Sequence, residues 1–348
     1  MRALRLVAER QLVLEDLPEP PPPGPGEARV RIRAVSLNHI DVWSQRGMAF
    51  ARRRLPITVG VEGAGEVEAL GPDLPADSPG RGDRVVIYGG LICRSCRACR
   101  SGRENLCENV GGIIGFHVDG IAAEVVNVPA HLLVPVPDGV SWPQAACASV
   151  TFGTVQHMLF DNAKLEPGET ILVHAAGSGI GSTAILMAKD VGATVFATVG
   201  DDEKVAKAKA LGADHVMNYR SDRFEGVVRR LTNKRGVDVV FEHVGPSTWA
   251  GSLLSLAKGG RLVTCGSTSG IAAETNLFHL FQQQIRIFGS FGSSIRNVRE
   301  GLQKMAAGRV LPVIDGEIAM EDFGKGLERL ESRRVFGKII VRIGDAAA

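Results

Sequence analysis

The chain reads as an α/β protein in which a doubly wound parallel sheet is joined to a second, β-rich domain. Three observations predict this. From about Thr170 onward, apolar runs alternate with helical stretches across short turns. A glycine-rich turn, Ala176-Gly177-Ser178-Gly179-Ile180-Gly181, joins the first of those runs to the first helix. Residues 1–150, by contrast, hold short apolar runs broken by glycine and proline, with no long helical period.

In the first part, Val30, Ile32 and Ala34 alternate with Arg29, Arg31 and Arg33. A period of two argues a half-buried strand. The preceding Pro18 to Glu27, PEPPPPGPGE, reads as a stiff extended connector. Arg84–Ile87 and Ala123–Val128 are further strand candidates. In the second part, the runs Ile171–Ala175, Thr194–Val199, His215–Tyr219, Val237–Val244, Arg261–Gly266 and Ile285–Ser290 are expected as strands. Ile180–Val191, Asp202–Leu211 and Ser247–Ala257 are expected as helices between them. The tail, Val335 to Ile343, returns to strand-like alternation and is expected to pair back with the first part. The domains are therefore drawn as 1–150, 151–290, and 291–348 returning to the first.

The formal net charge of +2 over 348 residues gives no strong field for nucleic acid or a membrane surface. No apolar run approaches the ~20 residues that span a bilayer. The first ten residues, MRALRLVAER, are charged too early for a secretory signal. Six cysteines, four of them clustered, suit a reducing cytoplasm better than a disulfide framework. A cytoplasmic protein acting on a small molecule is expected.

The four clustered cysteines are Cys93, Cys96, Cys99 and Cys107, spaced C-x2-C-x2-C-x7-C. Tetrahedral zinc takes such soft, anionic ligands at about 2.3 Å. An iron–sulfur cluster also takes four thiolates, but its usual local patterns, such as a cysteine followed by proline, are missing. With all four positions filled by sulfur, no site remains for water, so one structural zinc is expected. The interleaved Arg94, Arg97, Arg100 and Arg103 read as a solvated lobe rather than a binding patch.

The glycine turn follows a strand and opens a helix. That arrangement brings backbone N–H groups and the positive end of a helix dipole to a pyrophosphate. Ser178, Gly179, Ile180 and Gly181 are the expected contacts of a dinucleotide. The second strand ends Ala197-Thr198-Val199-Gly200, with no carboxylate to accept ribose hydroxyls. Asp201 and Asp202 come later and read as helix caps, and Lys204 lies within one turn. NADPH is favoured over NADH.

Together, Gly60-Val61-Glu62-x-x-Gly65 with Gly71, Gly82-Asp83-Arg84-Val85, the cysteine lobe and the glycine turn resemble the medium-chain dehydrogenase/reductase superfamily. The resemblance covers nearly the whole chain. It implies a GroES-like catalytic domain around a Rossmann domain, an active site in the cleft between them, and a homodimer or homotetramer. Zinc-dependent alcohol dehydrogenases of that family hold a catalytic zinc at positions that fall here on Asn38, Val61 and Cys147. Glu62, which follows the family's histidine, is retained. Valine has no lone pair and a neutral amide is a poor zinc ligand, so a second metal on Asn38, Glu62 and Cys147 is not expected. The family's proton relay is replaced by Ile40 and Trp43.

The zinc-free quinone reductases match better at Leu37-Asn38-His39-Ile40-Asp41. Their NADPH phosphate site is similar to Gly200-x3-Lys204, Tyr219 and Arg333, and Thr151 falls where the family touches the nicotinamide. Val244 and Ser267 are the remaining expected cofactor contacts. The simplest quinone reductases lack the cysteine lobe, so the chain combines the lobe of one branch with the site of the other.

Asn38 either orients the nicotinamide and polarises a carbonyl, or satisfies a turn. Asp41 is a second candidate for chemistry, but capping a helix explains it more simply. His157, His174 and His243 read as satisfied residues rather than ligands. The expected activity is NADPH-dependent hydride delivery to an activated C=C (enone or enoyl thioester) or to a quinone. The rivals are a zinc-type alcohol dehydrogenase and a catalytically silent cofactor-binding protein.

Overall fold

The structure is a computed structural model that describes residues 1–48 and 53–344. It divides into two compact units: residues 1–153, 293–308 and 314–348, and residues 154–292 with 309–313. Among the described residues, no helix is long and apolar enough to cross a membrane.

The first unit is built on a mixed sheet whose central strand is Glu27–Ser36. Its apolar residues point inward, with Val30 and Ile32 at most 1% exposed. Its arginines point outward and pair across the sheet, Arg31 with Glu68 and Arg33 with Glu66. Glu62–Leu70 lies antiparallel on one side and Lys338–Arg342 on the other. Ser36 faces Glu62 in one register and Ile340 in the other. The tail thus pairs with the first part of the chain, as its alternation suggested. Gly65 is required at its crossing, because a Cβ there would stand 2.3 Å from the Arg31 carbonyl oxygen. A second, three-stranded sheet is formed by Gln11–Asp16, Arg2–Ala8 and Ile57–Thr58. From Trp142 to Asn162 the chain is largely helical.

The second unit holds a six-stranded parallel sheet. Its order is His215–Asn218, Thr194–Val199, Thr170–Val173, Val237–Glu242, Leu256–Thr264, Arg286–Gly289. In sequence order that is 3-2-1-4-5-6, the doubly wound arrangement whose strand order reverses between the first and fourth strands. Ile171, Leu172, Val173, Val239, Val240 and Phe241 are fully buried. Such continuous apolar runs are what a sheet covered on both faces requires. The fifth strand starts at Leu256, five residues before the expected Arg261, and its register shifts against the fourth strand. The pair Gly259-Gly260 hid that start, since glycine carries no side-chain pattern.

Candidate active site

Glu62 starts its strand fully buried. Its Oε1 accepts from the backbone N–H groups of Val150 and Thr151, both at 2.7 Å. Its Oε2 accepts from Asn38 Nδ2 at 2.9 Å and from the Thr151 hydroxyl at 3.0 Å. Lys338 Nζ stands 3.2 Å from the same oxygen and is only 3% exposed. Its other two donations go to Leu37 O at 2.8 Å and Asn38 Oδ1 at 2.6 Å. All three ammonium protons are therefore satisfied. The sheet register explains the meeting: Lys338–Arg342 runs antiparallel to the central strand, with Leu37 N–H on Ile339 O at 3.0 Å.

This network changes the reading of two expected site residues. The Asn38 amide gives one proton to Ser36 O at 3.0 Å and the other to Glu62, so neither is left for a substrate carbonyl. Thr151 is fully buried with its hydroxyl spent on Glu62, so its contact with a nicotinamide cannot come from that group. Lys338 was missed in the sequence. A lysine opening the strand Lys338–Arg342, ahead of the apolar Ile339-Ile340-Val341, was the available signal.

Asp41 opens the helix His39–Arg46 in the way a cap requires. Its Oδ2 accepts the Asn38 N–H at 2.8 Å. It is 1% exposed, and its Oδ1 has no hydrogen-bond partner among the described residues. Burial pushes the carboxyl up to about 7, against the pull of the Asn38 N–H and the Lys338 ammonium. Cys147 is fully buried, with its thiol on Pro143 O at 3.4 Å and 3.6 Å from Ser36 Oγ. Burial pushes it up to about 12, so it stays a neutral thiol. Asn38, Glu62 and Cys147 do not fit a second metal: Asn38 Oδ1 and Glu62 Oε2 both hold Lys338, and a neutral amide is a poor zinc ligand.

The cysteine lobe does fit one. The sulfurs of Cys93, Cys96, Cys99 and Cys107 all lie within 4.8 Å of one another. The edge of a zinc–thiolate tetrahedron is about 3.8 Å, and Cys93 Sγ and Cys107 Sγ are 3.6 Å apart. Backbone N–H groups of Cys93, Cys96 and Cys99 point at the sulfurs of Cys107, Cys93 and Cys96 at 3.4–3.5 Å. Such donors favour thiolates. The Ser95 hydroxyl and the Cys96 N–H hold Cys93 down to about 5.

In the second unit, Ser178 caps the helix Gly179–Asp190, and its Oγ accepts from Gly181 N at 2.9 Å. A Cβ on Gly181 would lie 2.3 Å from Ala175 O, so only glycine lets this helix start so close to the strand. The N–H groups of Gly179 and Ile180 open the helix. Val244 and Ser267 follow the fourth and fifth strands, and both border Gly245: a Cβ there would meet Ser267 Oγ at 2.6 Å. Gly200 lies against the Tyr219 hydroxyl, 2.6 Å from where its Cβ would be. Of the two acids expected to cap the next helix, Asp201 does so, its Oδ1 accepting from Lys204 N at 2.9 Å, whereas Asp202 makes no capping bond and its Oδ1 accepts from Asn218 Nδ2 at 2.8 Å. Asp201 also holds Lys204 Nζ at 3.1 Å, a pairing the sequence did not disclose. Arg333 belongs to the first unit, exposed after the helix Phe323–Glu331 with a φ of 59°.

Residues 24–138 match the alcohol dehydrogenase GroES-like domain, and residues 179–307 match the zinc-binding dehydrogenase family. The acryloyl-coenzyme A reductase of Metallosphaera sedula is 30% identical over 310 residues, covering 89% of this chain and 90% of that protein. The sorbitol dehydrogenase of Bacillus subtilis is 31% identical over 278 residues, covering 79% and 77%. The chain belongs to the medium-chain dehydrogenase/reductase superfamily. A solved NAD-dependent alcohol dehydrogenase is similar at 39% identity and a TM-score of 0.92, covering 99% of this chain and all of the other. As a medium-chain dehydrogenase/reductase, the protein is an oxidoreductase whose family uses a nicotinamide cofactor. The glycine cradle supplies the N–H groups that would hold the pyrophosphate, and the cysteine lobe the sulfurs that would hold zinc.

Two outcomes follow from this geometry. Elemental analysis should give one zinc per chain, and Cys93→Ser should lose that zinc and lower the melting temperature; two tightly held zincs would contradict the assignment of the second set. The Asp41 pKa is about 7 folded against about 3.9 unfolded. The stability it contributes is therefore whole below pH 4 and is lost as the pH rises to 7, about 4 kcal/mol at most. Denaturation of Asp41→Asn at pH 5 and pH 8 should show the substitution gaining stability relative to wild type at the higher pH. An equal difference at both would show an ordinary, ionised Asp41.

Proposed function

We propose that the protein is an NADPH-dependent reductase that delivers hydride to the β-carbon of an enone or enoyl thioester, or to a quinone, without a catalytic metal. The observation that carries this reading is the Lys338 ammonium on Asn38 Oδ1 and Glu62 Oε2. A fixed internal cation sits on the residues that align with, or adjoin, the zinc ligands of the alcohol dehydrogenases. A zinc ion placed there would have to displace an ammonium that is already neutralised by Glu62, and it would gain only an amide, a carboxylate and a single thiol.

The reaction class follows from what such a site can supply. The cofactor, when bound, provides the hydride. A simple ketone concentrates the developing charge on the oxygen next to the reacting carbon and calls for a Lewis acid. An enone or quinone moves that charge to a distant oxygen, where a neutral donor suffices, and one such donor is typically worth about 3–4 kcal/mol. Since Asn38 gives both protons internally, its role in this proposal is to keep Lys338 and Glu62 in place. The donor to the substrate is then a backbone N–H. The resemblance to an acryloyl-coenzyme A reductase supports an enoyl thioester. The resemblances to a sorbitol dehydrogenase and an NAD-dependent alcohol dehydrogenase favour the rival reading, alcohol oxidation. A panel of enones, quinones and alcohols separates the two. NADPH should be oxidised by the enones or quinones, unchanged after brief exposure to a chelator. Efficient alcohol oxidation that a chelator stops would overturn the proposal, and no turnover on any member would leave a cofactor-binding protein.

Support for NADPH comes from the loop after Thr194–Val199, where Gly200 admits the Tyr219 hydroxyl and no acid ends the strand. A 2′-phosphate would have to draw Lys204 away from a partly exposed Asp201, which lowers the gain from that lysine. Lys204→Ala should therefore weaken NADPH about tenfold, equivalent to about 1.4 kcal/mol, while NADH changes less than twofold. Asp201→Asn should tighten NADPH. Equal affinity of the wild type for both cofactors would count against the assignment.

A further inference from the structure

The second unit contains a buried polar chain that none of the cofactor contacts above requires. Glu242 ends the fourth strand fully buried, and among the described residues no lysine or arginine lies within ion-pair distance of it; the His174 ring stands 3.7 Å away. Its Oε1 accepts from the N–H groups of Val244 at 2.6 Å and Gly245 at 3.1 Å. Its Oε2 accepts the hydroxyls of Thr248 and Ser252, both at 2.8 Å. The Ser252 oxygen is 2.8 Å from His174 Nε2, and His174 Nδ1 is 3.0 Å from the Thr198 hydroxyl. Thr198 Oγ1 also accepts the Ala175 N–H at 3.2 Å. His174, Ser252 and Glu242 are each 0% exposed and Thr198 is 1%.

The direction of every proton follows. A carboxylate only accepts, so the single Ser252 proton goes to Glu242. Ser252 must then accept from His174, which places that ring's proton on Nε2. Nδ1 is left as an acceptor for the Thr198 hydroxyl. Burial pushes His174 down to about 4, so the ring is neutral and this tautomer is the one present. The arrangement has the residue types of a nucleophilic triad but the opposite polarity. Ser252 donates to the acid and accepts from the histidine, and no solvent reaches it, so it has no lone proton to lose to a base.

The ends of this chain are the loops that flank the point where the strand order reverses. Thr198 holds Ala175, the residue that enters the glycine turn at a φ of 48°. Glu242 holds Val244 and Gly245, which open the helix Pro246–Ser255 at a Gly245 φ of 94°. His243 adds a cross-tie, its Nε2 2.9 Å from His174 O. We propose that Thr198, His174, Ser252 and Glu242 form a positioning relay that fixes the Ala175–Ser178 turn against the Val244–Gly245 turn, and so sets the affinity for the dinucleotide that lies across them. Ser252 and His174 touch no ligand in this scheme and act through the two turns. A partly broken buried network costs more than an absent one, because each orphaned donor is left without water. This inference rests on the family's dinucleotide site and not on the choice of substrate or of NADPH.

The test is a titration of wild type and variants with NADPH and with NADH, followed by nicotinamide fluorescence. Ser252→Ala cuts the chain in the middle and should weaken the tighter cofactor about tenfold, with zinc content unchanged and the loss falling on cofactor affinity rather than on turnover at saturating cofactor. Thr248→Val removes one donor to Glu242 and should weaken the same cofactor severalfold, while Thr248→Ser, which keeps the hydroxyl, should restore wild-type affinity. A folded Ser252→Ala that binds both cofactors as wild type does would overturn the proposal. If Ser252→Ala does not fold, the Thr248 pair decides: equal affinities for the Val and Ser variants would overturn it.

Discussion

The ion pair between Lys338 and Glu62 is the interaction on which the first unit's candidate site depends. Both side chains are buried, and each is fully provided with partners. Burying two charges is costly, and their attraction offsets that cost only when the remaining protons and lone pairs are satisfied. Here five donors converge on one carboxylate, and three acceptors on one ammonium. Removing either partner would strand the other in a dry interior, at a cost of about 3–5 kcal/mol. The pair also ties four distant stretches together, since it joins residues 37–38, 62, 150–151 and 338 across as many as 301 positions.

The same pair gives Glu62 its counter-ion from within the chain, so the buried carboxylate is balanced by Lys338. The ammonium has its three protons on Leu37 O, Asn38 Oδ1 and Glu62 Oε2, so it cannot itself polarise a carbonyl as an open metal does. The cysteine lobe is separate from this pair, and its four sulfurs are grouped.

Each unit holds a fully buried glutamate beside its candidate site residues. Glu62 has a lysine as counter-ion, and Glu242 has four hydrogen-bond donors and a neutral histidine one hydroxyl away. The difference is physical. Glu242 sits at the opening of the helix Pro246–Ser255, where backbone N–H groups and the helix dipole stabilise an anion without a cation. Glu62 receives two N–H groups from Val150 and Thr151 but also faces Asp41, whose carboxyl would repel it if ionised. That repulsion and the burial of Asp41 act in the same direction.

The sequence by itself determined the elements and the two cofactor-type motifs. Alternation fixed Glu27–Ser36 and the tail strand, apolar runs fixed the parallel sheet, and four cysteines within fifteen positions announced the metal lobe. Those signals are local, carried by residues near one another in the chain. The departures from the zinc-ligand pattern at Asn38 and Val61, beside a retained Cys147, were legible only because Glu62 and the surrounding glycines set the frame. What the tertiary structure decided was which polar groups meet. Lys338 reaches Asn38 through a strand register 300 positions away, and Ser252 links His174 to Glu242. No spacing rule encodes those contacts. They follow from the order of strands in a sheet, and burial then decides their protonation and the direction of each hydrogen bond.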